Sequence, residues 1–376
     1  MAVGIIGAGA SGCICAYYLL KFGLEITLFD ASSPLLTLLP TGGGRCNLAH
    51  AEYDFKELVK NYPRGEKFLY SVFSQFSTAD TIEMFENIGV KTYTQDDGRI
   101  FPVSNSAKDV REKILKAIKD VQIIKEGVNV ITPSTDGFKL RTAKAEYYFD
   151  KIVIATGWGK YNNNTLFENL NHTIVPPKPS LVGLNCKTEK LSGVVLKNVY
   201  SKDCKISGNL LFTHFGISGP LVYTISSINA RKNFPYNLVF DLHPDNLDLQ
   251  ALLNSNPHKD LKNILSNIFP HRFAEYIFGN FAEIKAHNID GKTRDFISDK
   301  IHNFELEIKG TNKGEETVTS GGFNLNEINP KTMESKLHPN LYIIGEALDI
   351  DGFCGGFNLQ NAWSTAYVAA KGLTAK

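Results

Sequence analysis

The chain has 376 residues, more than a single hydrophobic core usually organises, so we expect two or three domains. Hydrophobic residues make up 43% and charged residues 21%, which excludes a disordered or fibrous chain. Forty Lys and Arg oppose 39 Asp and Glu, and no basic stripe stands out in the sequence, so nucleic acid is not expected as a partner.

The first twenty residues carry no charged side chain, which raises the question of a signal peptide or a membrane anchor. No Lys or Arg precedes this apolar stretch and glycines interrupt it, which argues against both. Elsewhere no apolar run reaches the roughly 18 residues that a membrane span needs. We therefore expect a cytoplasmic protein without a membrane partner.

The cysteines and histidines indicate neither a disulfide scaffold nor a metal site. Six cysteines in so long a chain are too sparse for a scaffold, which fits a reducing compartment. No pair of cysteines has C-x-x-C spacing, and the nine histidines show neither H-x-H nor H-E-x-x-H spacing. We predict no metal.

The chain begins with a strand, a glycine turn, a helix and a second strand. Residues 3–6 are a β-type run, residues 10–22 contain no breaker except Gly12, and Glu25–Phe29 leads to Asp30. Together these segments form a βαβ unit of about thirty residues.

The turn carries Gly7-x-Gly9-x-x-Gly12, and each glycine has a physical role there. Gly7 permits the tight turn, Gly9 lets the backbone approach a pyrophosphate, and Gly12 allows close contact between helix and strand. Asp30 is placed to accept hydrogen bonds from ribose hydroxyls. The motif predicts dinucleotide binding but does not separate NAD from FAD.

After this unit, groups of predicted helices and groups of predicted strands follow one another along the chain, which indicates further domains. Helices are expected over residues 65–76 and 78–87 and from Ser106 to about residue 119, followed by short strands and a buried parallel strand at 152–155. Loops at 162–164 and 176–179 mark the first domain boundary. Short strands continue to about residue 242, helical periodicity occupies 248–302, and strands return at 304–308 and 317–318. Residues 340–344 and 359–373 predict a last strand and helix.

Two glycine-rich segments point to a flavin rather than to NAD alone. Residues 41–47 (TGGGRCN) lie where an extended FAD would lead toward its ring, and Arg45 and Asn47 offer hydrogen bonds; an ordinary surface loop is the alternative. Residues 345–358 join the last strand to the last helix, whose N-terminus suits a flavin edge that becomes anionic on reduction.

The sequence resembles the BaiN-like flavoproteins, which are NAD(P)/FAD-dependent oxidoreductases with relatives described as aminoacetone oxidases. The resemblance covers nearly the whole chain and rests on residues 7–12, 41–47, 98–103 (GRIFPV), 211–220 (LFTHFGISGP), 319–322 (TSGG), 330–335 (PKTMES) and 345–358. Trp158 and Cys354 depart from the pattern expected at their positions.

The resemblance implies an α/β fold, with a Rossmann-like FAD-binding domain built from both termini, an inserted β-barrel-like domain and a small helical domain. We place the FAD-binding domain at 1–178 plus 319–376, the β-domain at 179–245 plus 303–318, and the helical domain at 246–302. We expect these residues to bind the cofactor: Gly7, Ala8, Gly9, Ser11, Gly12, Asp30, Arg45, Cys46, Asn47, Val128, Ala155, Thr156, Gly157, Gly345, Glu346, Asp349, Gly355, Gly356, Phe357 and Asn358.

We expect a hydride to pass through flavin N5 to or from a small-molecule substrate, with NAD(P)H as a transient reductant. No second Gly-x-Gly-x-x-Gly follows a strand, so nicotinamide would not have a Rossmann domain of its own. An amine oxidase that uses oxygen and a non-catalytic FAD-binding protein remain alternatives. Sequence assigns no catalytic acid or base: His214, Arg99 and a Cys46–Cys354 redox pair each have a structural interpretation as well. The substrate and oligomeric state are not predicted.

Overall fold

The computed structural model describes residues 2–158, 164–245, 247–312, 314 and 318–375. The chain forms two compact units, one of residues 1–178 and 319–376 and one of residues 179–318. The first unit therefore draws on both ends of the sequence, whereas the second is a single continuous segment. In these ranges no helix is long and apolar enough to cross a membrane.

The first unit is built on a five-stranded parallel sheet whose strands are mostly buried, except for the edge strand Gln122–Ile124. Its middle strand, Ala2–Ile6, pairs in parallel with Glu25–Phe29 and with Lys151–Ile154. The strands, in spatial order, are Leu341–Ile343, Lys151–Ile154, Ala2–Ile6, Glu25–Phe29 and Gln122–Ile124. Because parallel strands end at the same edge, the loops after them gather there.

Helices and smaller sheets cover the parallel sheet. Ser77 and Asp80 form a capping box that starts one helix, and the Ser106 side chain accepts a hydrogen bond from the Asp109 amide at the start of another. The α-helices are Ala10–Lys21, Phe55–Leu58, Glu66–Phe73, Thr78–Asn87, Ala107–Ala117 and Phe357–Thr374. The antiparallel strands are Ala49–His50, Thr92–Thr94 and Arg99–Pro102 in one sheet, and Val128–Ser134, Gly137–Thr142 and Glu146–Phe149 in another.

The second unit contains an antiparallel, nearly closed barrel sheet. Its strands, in spatial order, are Phe304–Ile308, Tyr236–Asp241, Val195–Ser201, Ile206–Phe212, Gly216–Ser218, Leu184–Asn185 and Gly310–Thr311. Its α-helices are Pro220–Ile228, Leu249–Asn254, Leu261–Leu265, His271–Phe278 and Gly291–His302. A further strand pair, Ile174–Ser180 with Val318–Phe323, lies where the chain passes from one unit to the other.

The predicted fold class, a Rossmann-like domain with an inserted barrel-like sheet and helices, is confirmed. The three domain boundaries stay predictions. Helices and barrel strands of residues 179–318 share one hydrophobic core. In it, the ring centroid of Phe273 lies 5.7 Å from that of Phe212 and 5.8 Å from that of Phe304. The predicted loop at 162–164 lies mostly outside the described residues, as does Thr317 of the predicted strand.

Replacing Phe273 tests whether the helices fold with the barrel. Phe273 is fully buried, so Phe273→Ala is expected to lower the free energy of unfolding by about 3–5 kcal/mol. Hydrogen exchange should rise in the strand Ile206–Phe212 as well as in the helix. The control is Phe296→Ala, because that ring is 40% exposed. Exchange that rises in the helices alone would show that they form a separate domain.

Candidate cofactor and active site

The glycine turn after the first strand is shaped by contacts that leave no room for side chains. Gly7 has φ +104°, and a Cβ there would lie 2.5 Å from the carbonyl oxygen of Ala155. A Cβ on Gly12 would collide with the carbonyl oxygen of Gly7, so the helix Ala10–Lys21 packs directly on the turn. A Cβ on Gly9 would meet nothing within 4 Å. Gly9 therefore leaves open space at a helix N-terminus, where backbone amides favour an anion.

Asp30 follows the second strand and holds the glycine turn in place. Its Oδ2 accepts a hydrogen bond from the Ala8 amide at 2.7 Å, and its Oδ1 accepts from the amide and hydroxyl of Ser32 at 2.7 and 2.8 Å. A carboxylate has about four lone-pair sites, so one remains for a ribose hydroxyl. The strand that begins at Val128 passes nearby, since a Cβ on the preceding glycine would lie 3.3 Å from the Cβ of Ala31.

Residues 155–157 follow the strand Lys151–Ile154 and extend along the same edge. Ala155 contacts the glycine turn, and the Thr156 hydroxyl donates to the Gly157 carbonyl at 3.1 Å. Gly157 has φ +59°, and a Cβ there would lie 3.7 Å from Oε2 of Glu346. This segment therefore connects the glycine turn to the C-terminal loop, the name used below for residues 345–358.

Gly345 and Glu346 begin the C-terminal loop beside the first helix. A Cβ on Gly345 would lie 2.5 Å from the hydroxyl of Ser11, which shows how closely the two ends of the chain approach. Oε1 of Glu346 accepts a hydrogen bond from the Thr319 amide at 2.7 Å. Burial raises the pKa of Glu346 to about 7, and the negative charge of Asp351 also raises it, while the Thr319 amide lowers it.

Side chains that are distant in sequence stabilise the middle of the C-terminal loop. Asp351 is fully buried and forms a two-pronged ion pair with Arg64, whose Nη2 lies 2.5 Å from Oδ2. The hydroxyl of Tyr62 donates to the carbonyl of Phe357 at 2.6 Å. The amide of Asp349 donates to a carbonyl of the strand Val318–Phe323 at 3.1 Å. The loop is thus held by several elements of the first unit.

Asn358 closes the C-terminal loop on itself. Its Oδ1 accepts from the Gly352 amide at 2.9 Å and its Nδ2 donates to the Gly352 carbonyl at 2.8 Å. Gly355 and Gly356 have φ +136° and +99°, and a Cβ on Gly356 would lie 2.5 Å from a backbone oxygen of the strand Ala49–His50. Both polar atoms of the Asn358 side chain are therefore already hydrogen-bonded within the loop. Contact between Asn358 and a cofactor stays a prediction.

The last helix, Phe357–Thr374, begins at the end of this loop without a side-chain cap. Gly356 is its N-cap residue, and the first turn contains no acidic residue. Its first amides are therefore not bonded by a capping side chain, and they add to the positive end of the helix dipole. The ring of Phe357 stacks on His50 at 4.8 Å, which fixes this end of the helix on the neighbouring sheet.

Residues 41–47 fold into a tight turn that presents Asn47. Gly42 and Gly43 have φ +58° and +68°, and Cys46 has φ +64°. A Cβ on Gly42 would lie 2.7 Å from the Asn47 amide nitrogen. Oδ1 of Asn47 is buried and finds no hydrogen-bond partner among the described residues. A buried polar atom of this kind usually has a partner, so a bound group is its natural complement.

Two cations and two cysteines lie in or beside these segments. The guanidinium of Arg45 covers the Phe101 ring at 4.1 Å, and Arg99 pairs with Asp97 at 2.6 Å. Cys46 is buried, which raises the pKa of its thiol to about 12. Burial also raises the pKa of the Cys354 thiol, and the positive charge of Arg99 opposes this rise in part. Both cysteines are free thiols, so the structure contains no Cys46–Cys354 disulfide.

The structure brings the predicted residues of both chain ends to one edge of the first unit. The open space at Gly9, the unpartnered oxygen of Asn47 and the uncapped last helix fit the phosphates and ring edge of an FAD. Cofactor binding by the individual residues stays a prediction. Sequence reasoning missed Arg64 and Tyr62, and it gave no role to the Thr319 motif or to His50. Trp158, a noted departure, donates to the Ala347 carbonyl at 3.0 Å and so supports the loop.

Comparisons with known proteins give consistent results over the whole chain. The family model described as HI0933-like protein Rossmann domain matches residues 1–372. The ribosomal RNA dihydrouridine synthase of Escherichia coli K12 is 28% identical over 398 residues, covering 99% of this chain and 97% of that protein. The 3-dehydro-bile acid delta(4,6)-reductase of Clostridium scindens is 28% identical over 413 residues, covering 98% of each chain.

Among solved structures, the 3-ketosteroid delta1-dehydrogenase of Sterolibacterium denitrificans superimposes with a TM-score of 0.52 at 13% identity, covering 99% of each chain. At that identity the likeness shows the fold alone. The resemblance to BaiN-like flavoproteins is confirmed by the family match. One relative is named for a reaction on ribosomal RNA, so the expected absence of a nucleic-acid partner is not confirmed.

Glu346→Gln tests the raised pKa through the pH dependence of stability. Between about pH 4.5 and pH 7 the folded protein holds a proton on Glu346 that the unfolded chain releases, so stability falls as pH rises. Without FAD, Glu346→Gln is expected to match the wild type near pH 4.5 and to exceed it by about 1–3 kcal/mol at pH 8. Urea unfolding at both pH values measures this, with the exposed Glu86→Gln as control. An equal difference at the two pH values would contradict the shift.

Gly9→Val tests the open space at the glycine turn. Because a Cβ there meets no protein atom, the variant without FAD should keep the wild-type melting temperature. Affinity for FAD should fall by about 3 kcal/mol or more, roughly a hundredfold, because the side chain takes the place of the phosphates. Fluorescence titration with FAD measures the loss. Gly291→Val, at another open glycine in the second unit, is the control. Unchanged FAD affinity would place the cofactor elsewhere.

Proposed function

Because the chain belongs to the HI0933-like family of FAD-dependent oxidoreductases, we propose that it reduces carbon–carbon double bonds conjugated to a carbonyl group. The names of two relatives carry this proposal. One forms dihydrouridine, which requires reduction of the uracil ring double bond beside a carbonyl. The other reduces the 4,6 positions of a 3-dehydro bile acid. The substrates differ widely, but hydride addition to a conjugated double bond is common to both reactions.

We propose that one FAD lies along the edge formed by the predicted residues. Gly7, Gly9 and Gly12 would admit the pyrophosphate and Asp30 would bind the ribose. Glu346 would accept a hydrogen bond from the ribityl chain, and the uncapped amides at Phe357 would face the ring edge. When bound, the flavin supplies hydride transfer at N5.

The remaining predicted contacts are proposed for the same cofactor. Val128 and Ala8 would lie on its adenosine side, and small residues would let the backbone approach its middle. The others, grouped by segment, are Ser11; Arg45, Cys46 and Asn47; Ala155, Thr156 and Gly157; and Gly345, Asp349, Gly355, Gly356 and Asn358.

The chain's own contribution to the chemistry would be position and charge. The Arg64–Asp351 pair and Tyr62 keep the C-terminal loop fixed, so the amides of the last helix stay aimed at one place. These amides would stabilise negative charge that develops there on reduction. NAD(P)H is proposed as a reductant that binds transiently, and a cytoplasmic location is proposed with it.

Anaerobic kinetics with a matched pair of acceptors test the function. Purified protein loaded with FAD is reduced with NADPH or NADH and then mixed, without oxygen, with a 4-en-3-one steroid or with unmodified ribosomal RNA. Reoxidation by either acceptor, with no reoxidation by the saturated 3-ketone or by RNA that already contains dihydrouridine, supports the proposal. Steady-state kinetics should then be ping-pong, because the oxidised nicotinamide leaves before the acceptor binds.

Other outcomes identify the alternatives. Reduction by an amine followed by reoxidation only in air, with release of peroxide, would show an oxidase. If FAD binds but no tested donor reduces it, the chain is a non-catalytic FAD-binding protein. The Gly9→Val variant is the control for reaction by free flavin.

A further inference from the structure

His50 follows one of the two glycine-rich segments of the first unit and contacts the other. It ends the strand Ala49–His50, shortly after Asn47, and its ring reaches the C-terminal loop at Gly355. The imidazole is half-buried. Both segments belong to the candidate flavin site, so the contacts of this side chain bear on the chemistry there.

Three contacts fix the imidazole of His50. Nδ1 lies 3.2 Å from the carbonyl oxygen of Gly355, and because a carbonyl only accepts, Nδ1 carries the proton of this hydrogen bond. The ring stacks on Phe357, with centroids 4.8 Å apart and an interplanar angle of 27°. A Cβ on Gly98 would lie 2.6 Å from Nε2 and 3.0 Å from Cε1, so the backbone of Gly98 covers a face of the ring and not the Nε2 edge.

The other ring nitrogen of His50 stays open. Nε2 has no hydrogen-bond partner among the residues that the structure describes, and it is accessible to solvent. With Nδ1 bonded to a carbonyl, Nε2 either carries a second proton or offers a lone pair. Imidazole is the side-chain group that changes between these two forms near neutral pH. One nitrogen anchored and the other open is the arrangement in which a histidine transfers protons in general acid–base catalysis.

The titratable groups around His50 come from the neighbouring strand and the C-terminal loop. Arg99 lies opposite His50 in the strand register and forms an ion pair with Asp97 at 2.6 Å. The hydrogen bond from Arg99 lowers the pKa of Asp97, and the charge of His50 lowers it further. Cys354 precedes Gly355 in the loop. The imidazole therefore has one fixed charge of each sign and one thiol in its surroundings.

Other polar side chains around the C-terminal loop are already engaged. Tyr62 donates its hydroxyl to a carbonyl of the loop at 2.6 Å, and Arg64 pairs with the buried Asp351. Glu346 accepts a hydrogen bond from a backbone amide at 2.7 Å and is proposed above to bind the ribityl chain. Compared with these side chains, His50 combines a fixed ring with a nitrogen that is free to meet a substrate.

We propose that His50 is the proton donor for the reduced double bond. Hydride addition to the β-carbon of a conjugated ketone leaves an enolate, whose electron pair must take up a proton at the α-carbon. The Nε2–H bond of protonated His50 breaks as this C–H bond forms, which leaves a neutral imidazole that solvent protonates again. One hydride and one proton together complete the reduction. Because the hydride comes from the reaction proposed above, the role of His50 rests on the proposed function.

Stopped-flow kinetics separate the step that needs this proton from the step that does not. FAD-loaded His50→Gln, at saturating FAD, should be reduced by NADPH at the wild-type rate, because hydride transfer to the flavin requires no proton donor. For the second step the protein is reduced with stoichiometric dithionite, so that the result does not depend on a nicotinamide. Anaerobic reoxidation by a 4-en-3-one steroid should then be about a hundredfold slower than in the wild type, as for the loss of a general acid.

Two further readouts distinguish a proton donor from a residue that only supports the loop. In the wild type, reoxidation should slow by about tenfold per pH unit once Nε2 loses its proton at rising pH, and His50→Gln should lack this decrease. In His50→Ala, added imidazole should restore part of the rate, because the space between Phe357 and Gly98 is then vacant. A side chain that only supports the loop would show neither effect.

Matched variants control for the loss of a histidine and for a rival donor. His258→Gln, which changes an exposed histidine of the second unit, should be reduced and reoxidised like the wild type. Cys354→Ser removes the neighbouring thiol and should retain the pH dependence of the wild type. The flavin absorption spectrum and the melting temperature of each variant confirm that it is folded and loaded.

Several results would overturn the role of His50. Reoxidation of His50→Gln at the wild-type rate is one, and an equal loss in both half-reactions without rescue by imidazole is another. A loss confined to Cys354→Ser would identify the thiol as the donor instead. A wild type that the 4-en-3-one does not reoxidise would refute the reductase proposal and this role together, whereas equal reoxidation of wild type and His50→Gln refutes the role alone.

Discussion

Parallel hydrogen bonding between Leu341–Ile343 and Lys151–Ile154 determines where the two ends of the chain meet. The register pairs Ile152 with Leu341 and Ile154 with Ile343, so the loop after the last strand leaves the sheet beside the glycine turn. Gly345 then approaches Ser11 so closely that a side chain on residue 345 would collide with the Ser11 hydroxyl. A shift of one residue would turn every side chain of this strand to the opposite face, which explains why the register is tightly specified. The candidate site exists only because this pairing forms.

The C-terminal loop needs more than the sheet to keep its shape, because it contains several glycines that have wide conformational freedom. The buried pair of Arg64 and Asp351 is one of its restraints. Removing two charges from water is costly, so such a pair adds little net stability. Its value here is positional, since the planar guanidinium fixes both oxygens of the carboxylate. The loop's backbone is thereby held in one conformation before any cofactor binds.

Local sequence patterns predicted the parts of the site that depend on local backbone geometry. The first glycine turn, the turn at 41–47 and the C-terminal loop all need glycine at positive φ or in close contact, and glycine spacing is visible in a sequence. Arg64 and Asp351 are 287 positions apart, and no local pattern announces that they pair. The closure of the loop by Asn358 was missed for a related reason: an asparagine beside glycines suits a ligand contact and a backbone contact equally well. The strand pair Thr92–Thr94 and Arg99–Pro102 was not predicted either, because each strand is short and only partly apolar.

A near-neutral total charge does not by itself exclude a polyanionic partner, because electrostatic attraction acts over short distances in salt. At physiological ionic strength the screening length is about 8 Å, so a polyanion responds to the cations it touches rather than to the sum over the chain.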